Sequence, residues 1–222
     1  MDNTGLAAVW SDSENKFDVR ELPLPDVEPD GISIRVQATS ICGSDLHTWR
    51  GDGVLPEQRP RPPSIGGHEM MGTVAAMGSK ISTDSLRRPL KEGDRVVYSY
   101  FFPCMRCYNC IRGEMGACKF RGRPQFKDWP VCNGGYSQYY YLRSPQFLFK
   151  IPDEIDDAAA APINCALAQV MEAFHIAKPR FGDNVVIQGA GGLGINATAI
   201  ASDMGANKVI VIDGQQPRLE LA

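Results

Sequence analysis

The spacing of apolar positions changes period once along the chain. Over the N-terminal part, apolar side chains recur at every second position in short runs. Gly31-Ile-Ser-Ile-Arg-Val-Gln-Ala places Ile32, Ile34 and Val36 on one face, the pattern of a half-buried strand. Runs at 5–10, 17–22, 72–77, 95–100 and 134–142 read the same way, with Gly or Pro between them. Pro23, Pro25 and Pro29 bar a helix before the best strand. We expect a short helix after Cys42 with Ser44 or Asp45 as N-cap, a surface loop at 51–63, and an exposed charged excursion at 79–92. Short strands joined by such turns predict a compact β-barrel-like domain. From Ile155 the reading turns helical: Asp156 to Pro162 and Cys165 to Ala177 are Ala-rich, and Pro179 and Gly182 end them. A strand at 184–188, a glycine turn, a helix to about Met204 and a strand at 208–212 then form one βαβ pattern.

The glycine turn is Gly189-Ala-Gly-Gly-Leu-Gly194. G-x-G-x-x-G by itself matches cheaply, and a glycine-rich turn in another α/β unit is the bland reading. Here it sits between a predicted strand and helix, and Asp213 ends the next strand nineteen residues after Gly194. That context makes it a dinucleotide fingerprint. Gly189 makes the tight turn, Gly191 admits the pyrophosphate, Gly192 and Leu193 lie within the turn, and Gly194 allows close helix–strand packing. The helix N-terminus offers amide donors to the phosphates. Asp213 can accept from the adenosine ribose and would repel a 2′-phosphate, which favours NAD over NADP.

Composition narrows the classes. The 222 residues are 43% hydrophobic and 22% charged, with a formal net charge of −3, as in an ordinary globular protein. No basic stripe points to nucleic acid. No apolar run approaches the roughly 18 residues of a membrane span, and the first residues lack a signal peptide's regions. Seven cysteines, an odd number with no export signal, argue for a reducing, cytoplasmic setting and metal ligation rather than disulfides.

Cys104, Cys107, Cys110 and Cys118 are spaced C-x2-C-x2-C-x7-C, four thiols within fifteen residues. Four thiolates close a tetrahedral structural zinc site with no coordination position free. Iron–sulfur ligation is the rival, but that run usually has its fourth cysteine after three residues and Pro next; here Lys119 follows Cys118. A second cluster lies earlier. Cys42-Gly-Ser-Asp-Leu-His47 precedes Gly67-His68-Glu69, and Cys42 with His68 reads as two ligands of a catalytic zinc. Taken alone, Cys42 would more often be a buried small hydrophobe. Ser44 has a capping reading and His47 an exposed one beside any functional role. Tyr136 and Tyr139 to Tyr141 read as strand packing, His175 as a helix-surface residue, and Cys132 as a structural or free thiol.

Together the motifs C-G-S-D-x-H, G-H-E, the four-cysteine lobe and GAGGLG resemble the zinc-dependent alcohol dehydrogenases of the medium-chain dehydrogenase/reductase superfamily, over essentially the whole chain. The resemblance implies a mixed α/β protein. A GroES-like β-barrel catalytic domain (1–160) would carry the structural-zinc lobe at about 100–120. Linking helices and the first part of a Rossmann doubly wound NAD-binding domain (161–222) would follow, with the active site in the cleft between. It implies that Cys42, His68 and Cys165 ligate the catalytic zinc, although polyol-type members carry Glu at the Cys165 position. Glu69 would approach the metal from behind and Asp45 would orient His68. The zinc would lower the pKa of a bound alcohol. The proton would leave by Ser44, the cofactor ribose and His47, and hydride would pass to NAD, giving a ketone or aldehyde. The implied partners are a small-molecule alcohol or carbonyl substrate and, at full length, further copies in a homo-oligomer, with no nucleic acid and no membrane.

The chain departs from that pattern at three places. Gly43 stands where some members have a phosphate-binding Arg, and the 79–92 excursion is longer and more charged than usual. The sequence also stops at Ala222, inside the second Rossmann helix, so we expect a truncated Rossmann domain with one βαβ unit. A catalytically silent zinc-binding fragment, or a partner-completed subunit, is therefore the alternative function. A zinc-free quinone reductase would have no use for Cys42, Cys165 or the four-cysteine lobe.

Overall fold

A computed structural model describes residues 4–120, 134–143 and 146–222; Cys132 lies outside them. The chain divides into two units, Met1–Asn164 and Cys165–Ala222.

The first unit runs β1 (Thr4–Ser11), β2 (Lys16–Pro23), β3 (Gly31–Ser40), α1 (Gly43–Arg50), β4 (Ser64–Ile65), β5 (Glu69–Met77), β6 (Arg95–Tyr98), α2 (Tyr108–Ile111), β7 (Tyr139–Arg143), β8 (Leu148–Lys150) and α3 (Asp157–Ala160). One sheet has the order β2-β1-β4 and the other β7-β3-β5-β6-β8, and every pairing in both is antiparallel. The alternation expected of β3 holds: Ile32 and Ile34 are buried and Val36 packs against the same core. Successive strand residues point to opposite faces. Met70, Val74, Val96 and Tyr98 therefore join one core with Ile34, Tyr140 and Leu142, while Met71 and Val97 join a second with Ile151, Ala160 and Ala161. Each large side chain so buried stabilises the unit by roughly 1.5–3 kcal/mol. Two register shifts in the β3–β5 pairing, at Ser33/Ile34 and Val36/Ala38, bend the sheet.

Two local expectations need correction. The helix after Cys42 is capped by Cys42, not by Ser44 or Asp45. Asp45 sits three residues in, and its carboxylate reaches back to the Cys42 N–H at 2.9 Å, one half of a capping box. The 79–92 stretch is not simply exposed. Leu90 is in the core, Thr83 bridges Pro89, and the Asp84 side chain is fully buried. Asp84 accepts from the amides of Leu86, Arg88 and Lys150 and from the Arg88 guanidinium, which pins the excursion to β8.

A π-helical turn, Ile163–Leu167, carries the chain from the first unit into the second and continues into α4 (Ala168–Ala177). Then come β9 (Asn184–Gln188), α5 (Gly192–Asp203), β10 (Lys208–Ile212) and α6 (Gln216–Leu221). β9 and β10 are parallel, in register from Lys208↔Asn184 to Ile212↔Gln188. A parallel pair needs a crossover, and α5 supplies it.

Candidate metal centres and dinucleotide turn

The first cluster is built by the end of β3, the start of α1 and the turn entering β5. Cys42 Sγ, a ring nitrogen of His68 and a carboxylate oxygen of Glu69 lie within 4.8 Å of one another. His68 Nδ1 faces Asp45 Oδ1 at 3.3 Å, which leaves Nε2 as the nitrogen free to ligate. Ser44 Oγ lies 3.4 Å from that Nε2. Glu69 is buried, and its Oε2 accepts from Ser40 Oγ at 2.6 Å. The Tyr100 ring packs on His68 with centroids 4.8 Å apart, and Phe101 meets Tyr100 edge-on. Phe101 is exposed, whereas Tyr100, partly buried against the core of the five-stranded sheet, makes an apolar wall beside the imidazole. His47 is on the surface, its Nδ1 2.7 Å from Asp52 Oδ2, a partner that no motif announces. A thiol, an imidazole and a carboxylate at this spacing fit a zinc-type ion.

Two further residues escaped sequence reasoning. Tyr136 is not mere strand packing: its hydroxyl donates to Asp45 Oδ2 at 3.0 Å. Burial and the Asp45 charge both push that phenol's pKa up, so it stays a donor. Asn164 Nδ2 donates to the carbonyl oxygens of His68 and Tyr98, at 3.0 and 2.9 Å. Cys165 follows Asn164 in the chain. It is buried in the π-helical turn and its Sγ lies 3.1 Å from Gln169 Nε2.

The four-cysteine lobe is a second donor set. Sulfurs about 2.3 Å from a tetrahedral zinc stand about 3.8 Å apart. Here Cys107 and Cys110 are 3.5 Å apart, and Cys104–Cys110 and Cys107–Cys118 are each 3.9 Å apart. Without metal the thiols do not titrate alike. The hydrogen bond with the Cys110 backbone holds Cys107 down to about 6, and burial pushes Cys110 up to about 12. Cys118 is lowered, chiefly by the Cys104 N–H, which lies 3.3 Å from its sulfur. The lobe has little else to hold it: α2 is one turn, and Tyr108, Ile111 and Phe120 are exposed.

In the second unit the glycine turn joins β9 to α5. Gly189 has φ +98°, open to glycine at no steric cost. Gly191 is the N-cap, Gly192 and Leu193 open the helix, and Leu193 is about half exposed. A Cβ on Gly194 would stand 1.8 Å from the Gly189 carbonyl oxygen, so no other residue fits there. Asp213 accepts from Ala190 N at 2.7 Å and from Gln215 N at 2.8 Å. The Ala190 bond, then the Gln215 bond, holds its carboxyl below the usual range. Asp213 thus ties the glycine turn after β9 to the end of β10.

Residues 28–153 match the alcohol dehydrogenase GroES-like domain. The chain belongs to the zinc-type medium-chain alcohol dehydrogenases, through that domain. It is 35% identical over 211 residues to the probable D-xylulose reductase A of Aspergillus terreus, covering 93% of this chain and 55% of that protein. It is 35% identical over 217 residues to the sorbitol dehydrogenase of Bacillus subtilis, covering 98% and 58%. An alcohol dehydrogenase from Thermotoga maritima superposes with a TM-score of 0.85 at 30% identity, covering 98% of this chain and 60% of that one. An acetophenone reductase from Geotrichum candidum, solved with NAD, gives 0.77 at 29% identity, covering 100% and 61%. The chain thus spans a little over half the length of these relatives. The mixed α/β fold with a GroES-like domain is as expected from the sequence. Among the described residues no helix is long and apolar enough to cross a membrane.

Proposed function

We propose that the chain carries the metal centre and the first dinucleotide-binding unit of an NAD-dependent dehydrogenase of secondary alcohols. The observation that supports this best is the convergence of Cys42, His68 and Glu69 donors within 4.8 Å, with Asp45 on the far nitrogen of His68. Cys42, His68 and Cys165 are the ligands of the catalytic zinc in this reading. Cys165 enters from the family pattern, whose third ligand falls at its position. The four lobe cysteines hold a structural zinc. The similarity to a probable D-xylulose reductase, a sorbitol dehydrogenase and an acetophenone reductase favours a secondary carbinol or its ketone as substrate.

A zinc ion there supplies Lewis acidity that lowers the pKa of an alcohol hydroxyl. NAD supplies the hydride acceptor. The chain's own groups do the rest. Asp45 fixes the His68 tautomer, Ser44 stands where it can take up the hydroxyl proton, and His47 with Asp52 offers that proton an exit at the surface. Glu69 provides an alternative oxygen donor behind Cys42 and His68. The α5 N-terminus would hold a dinucleotide's pyrophosphate, and Asp213 would disfavour a 2′-phosphate.

A catalytically silent zinc-holding unit, or a subunit completed by a partner, is the second reading. One observation favours it: Val186, Ile210 and Ile212 on the two-stranded sheet are about half exposed. NADH formation by the purified, zinc-loaded protein from paired secondary and primary alcohols separates the two. The first reading expects turnover of secondary alcohols that chelation abolishes. Bound zinc with no turnover of any alcohol overturns it in favour of the second.

A further inference from the structure

We propose that Tyr136 is a positioning residue of the Cys42–His68 metal centre, its hydroxyl locking the Asp45 carboxylate in the orientation that aims His68 Nε2 at the ion. The inference rests on the zinc reading above and goes beyond it to a residue 91 positions away from Asp45 in sequence.

The acceptor geometry of Asp45 carries the argument. Oδ2 accepts twice, from Cys42 N at 2.9 Å and from Tyr136 Oη at 3.0 Å. Oδ1 is then the oxygen left for His68 Nδ1, at 3.3 Å. Asp45 and His68 are both mostly shielded, with side chains 14% and 17% exposed, so water is a poor substitute for a missing donor. Removing the phenol O–H frees the carboxylate to rotate about its one remaining amide bond, and the imidazole loses its fixed partner.

The fold gives the ring little freedom to be elsewhere. Tyr136 N donates to Gly66 O and Gly135 N to Gly67 O, which clamps its segment to the turn immediately before His68. A Cβ on Gly67 would stand 2.8 Å from the Tyr136 ring and 2.9 Å from its backbone nitrogen, and Gly67 has φ +83°. Gly66-Gly67 is therefore the gap through which the aromatic ring passes under the His68 turn. Packing and hydrogen bonding are separable here, because Phe keeps the ring and loses only the hydroxyl.

Outer-shell partners of a ligating histidine are worth about 10–100-fold in metal affinity. Tyr136 acts one bond further out and Asp45 keeps its Cys42 N–H, so the lower end, about tenfold, is expected. The test is zinc affinity by chelator competition on the full chain, for wild type, Tyr136→Phe, Asp45→Ala and the double variant. Cobalt substitution reports the thiolate band at each site. Tyr136→Phe should weaken one metal about tenfold, shift the cobalt spectrum of that site and leave the four-cysteine metal unaltered. In the Asp45→Ala background it should cost nothing further, since its effect runs through the carboxylate. Equal affinity in wild type and Tyr136→Phe, or full additivity with Asp45→Ala, overturns the role of Tyr136 while the zinc reading stands. A wild-type chain with no metal at Cys42 and His68 overturns both.

Discussion

Removing zinc from the four-cysteine lobe should melt the lobe and leave the five-stranded sheet intact. Residues 104–118 have almost no apolar core, Cys110 and Cys118 being the lobe's buried side chains. Fixing fifteen residues costs roughly 20 kcal/mol in backbone entropy at a little over ~1 kcal/mol each. The amides of Ile111, Arg112, Gly113, Glu114, Ala117 and Cys118 bond within the lobe, and at ~1 kcal/mol net apiece those six offset about 6 kcal/mol. A structural zinc contributes about 10–16 kcal/mol, which matches the remainder. The assay is amide hydrogen exchange before and after chelation. In the stripped protein the Ile111, Gly113 and Cys118 amides should exchange within about tenfold of an unfolded chain, as expected of a lobe with no folding energy of its own. Those of Ile34 and Val96, in the fully buried core, should keep their protection. Lobe amides that stay protected with the zinc gone would refute the reasoning, because something other than metal would then be the lobe's core.

Other outcomes follow from named residues. Asp84→Ala should destabilise the first unit by about 3 kcal/mol in denaturant unfolding, since it strands three amides and a guanidinium around a buried site. Burial opposes ionisation of Asp84, but the bonds from Arg88, Lys150 and Leu86 outweigh it and hold its pKa below 3.8. Its contribution is therefore full above pH 3.8 and fades as pH falls through the lower folded value, so the stability gap between wild type and Asp84→Asn should narrow only in that acid window. Gly194→Ala should disrupt the βαβ unit, because its Cβ would meet the Gly189 carbonyl at 1.8 Å; near-wild-type circular dichroism and NAD affinity would count against that. Asp213→Ala should narrow the preference for NAD over NADP in equilibrium binding, and an unchanged ratio would remove Asp213 from cofactor choice.

What was legible in the sequence was local. Ile32 and Ile34 announced the central strand by alternation, four cysteines announced the lobe by spacing, and strand–glycine–helix announced the βαβ unit. Each of these signals is carried by residues within about twenty positions of one another. Asp84 was misread because a charged residue between Thr83 and Ser85 looks solvated; its burial depends on Lys150, 66 residues on. Tyr136 packs as expected, against Ala7, Val9 and Ile65, but its bond to Asp45 was not legible for the same reason, that partner lying 91 residues back. The cap of α1 shifted from Ser44 or Asp45 to Cys42 because the Asp45 side chain bonds backward, which residue preference alone does not encode. Asn164 gave no signal at all beyond its place before Cys165.

The measurement closest to the central claim is zinc per chain by native mass spectrometry, for wild type and for Cys42→Ser. Two convergent donor sets require two zinc ions in the wild type and one, held by the lobe, in the variant. A wild type with one ion would contradict the account, and a Cys42→Ser chain that still holds two would take Cys42 out of the ligand set.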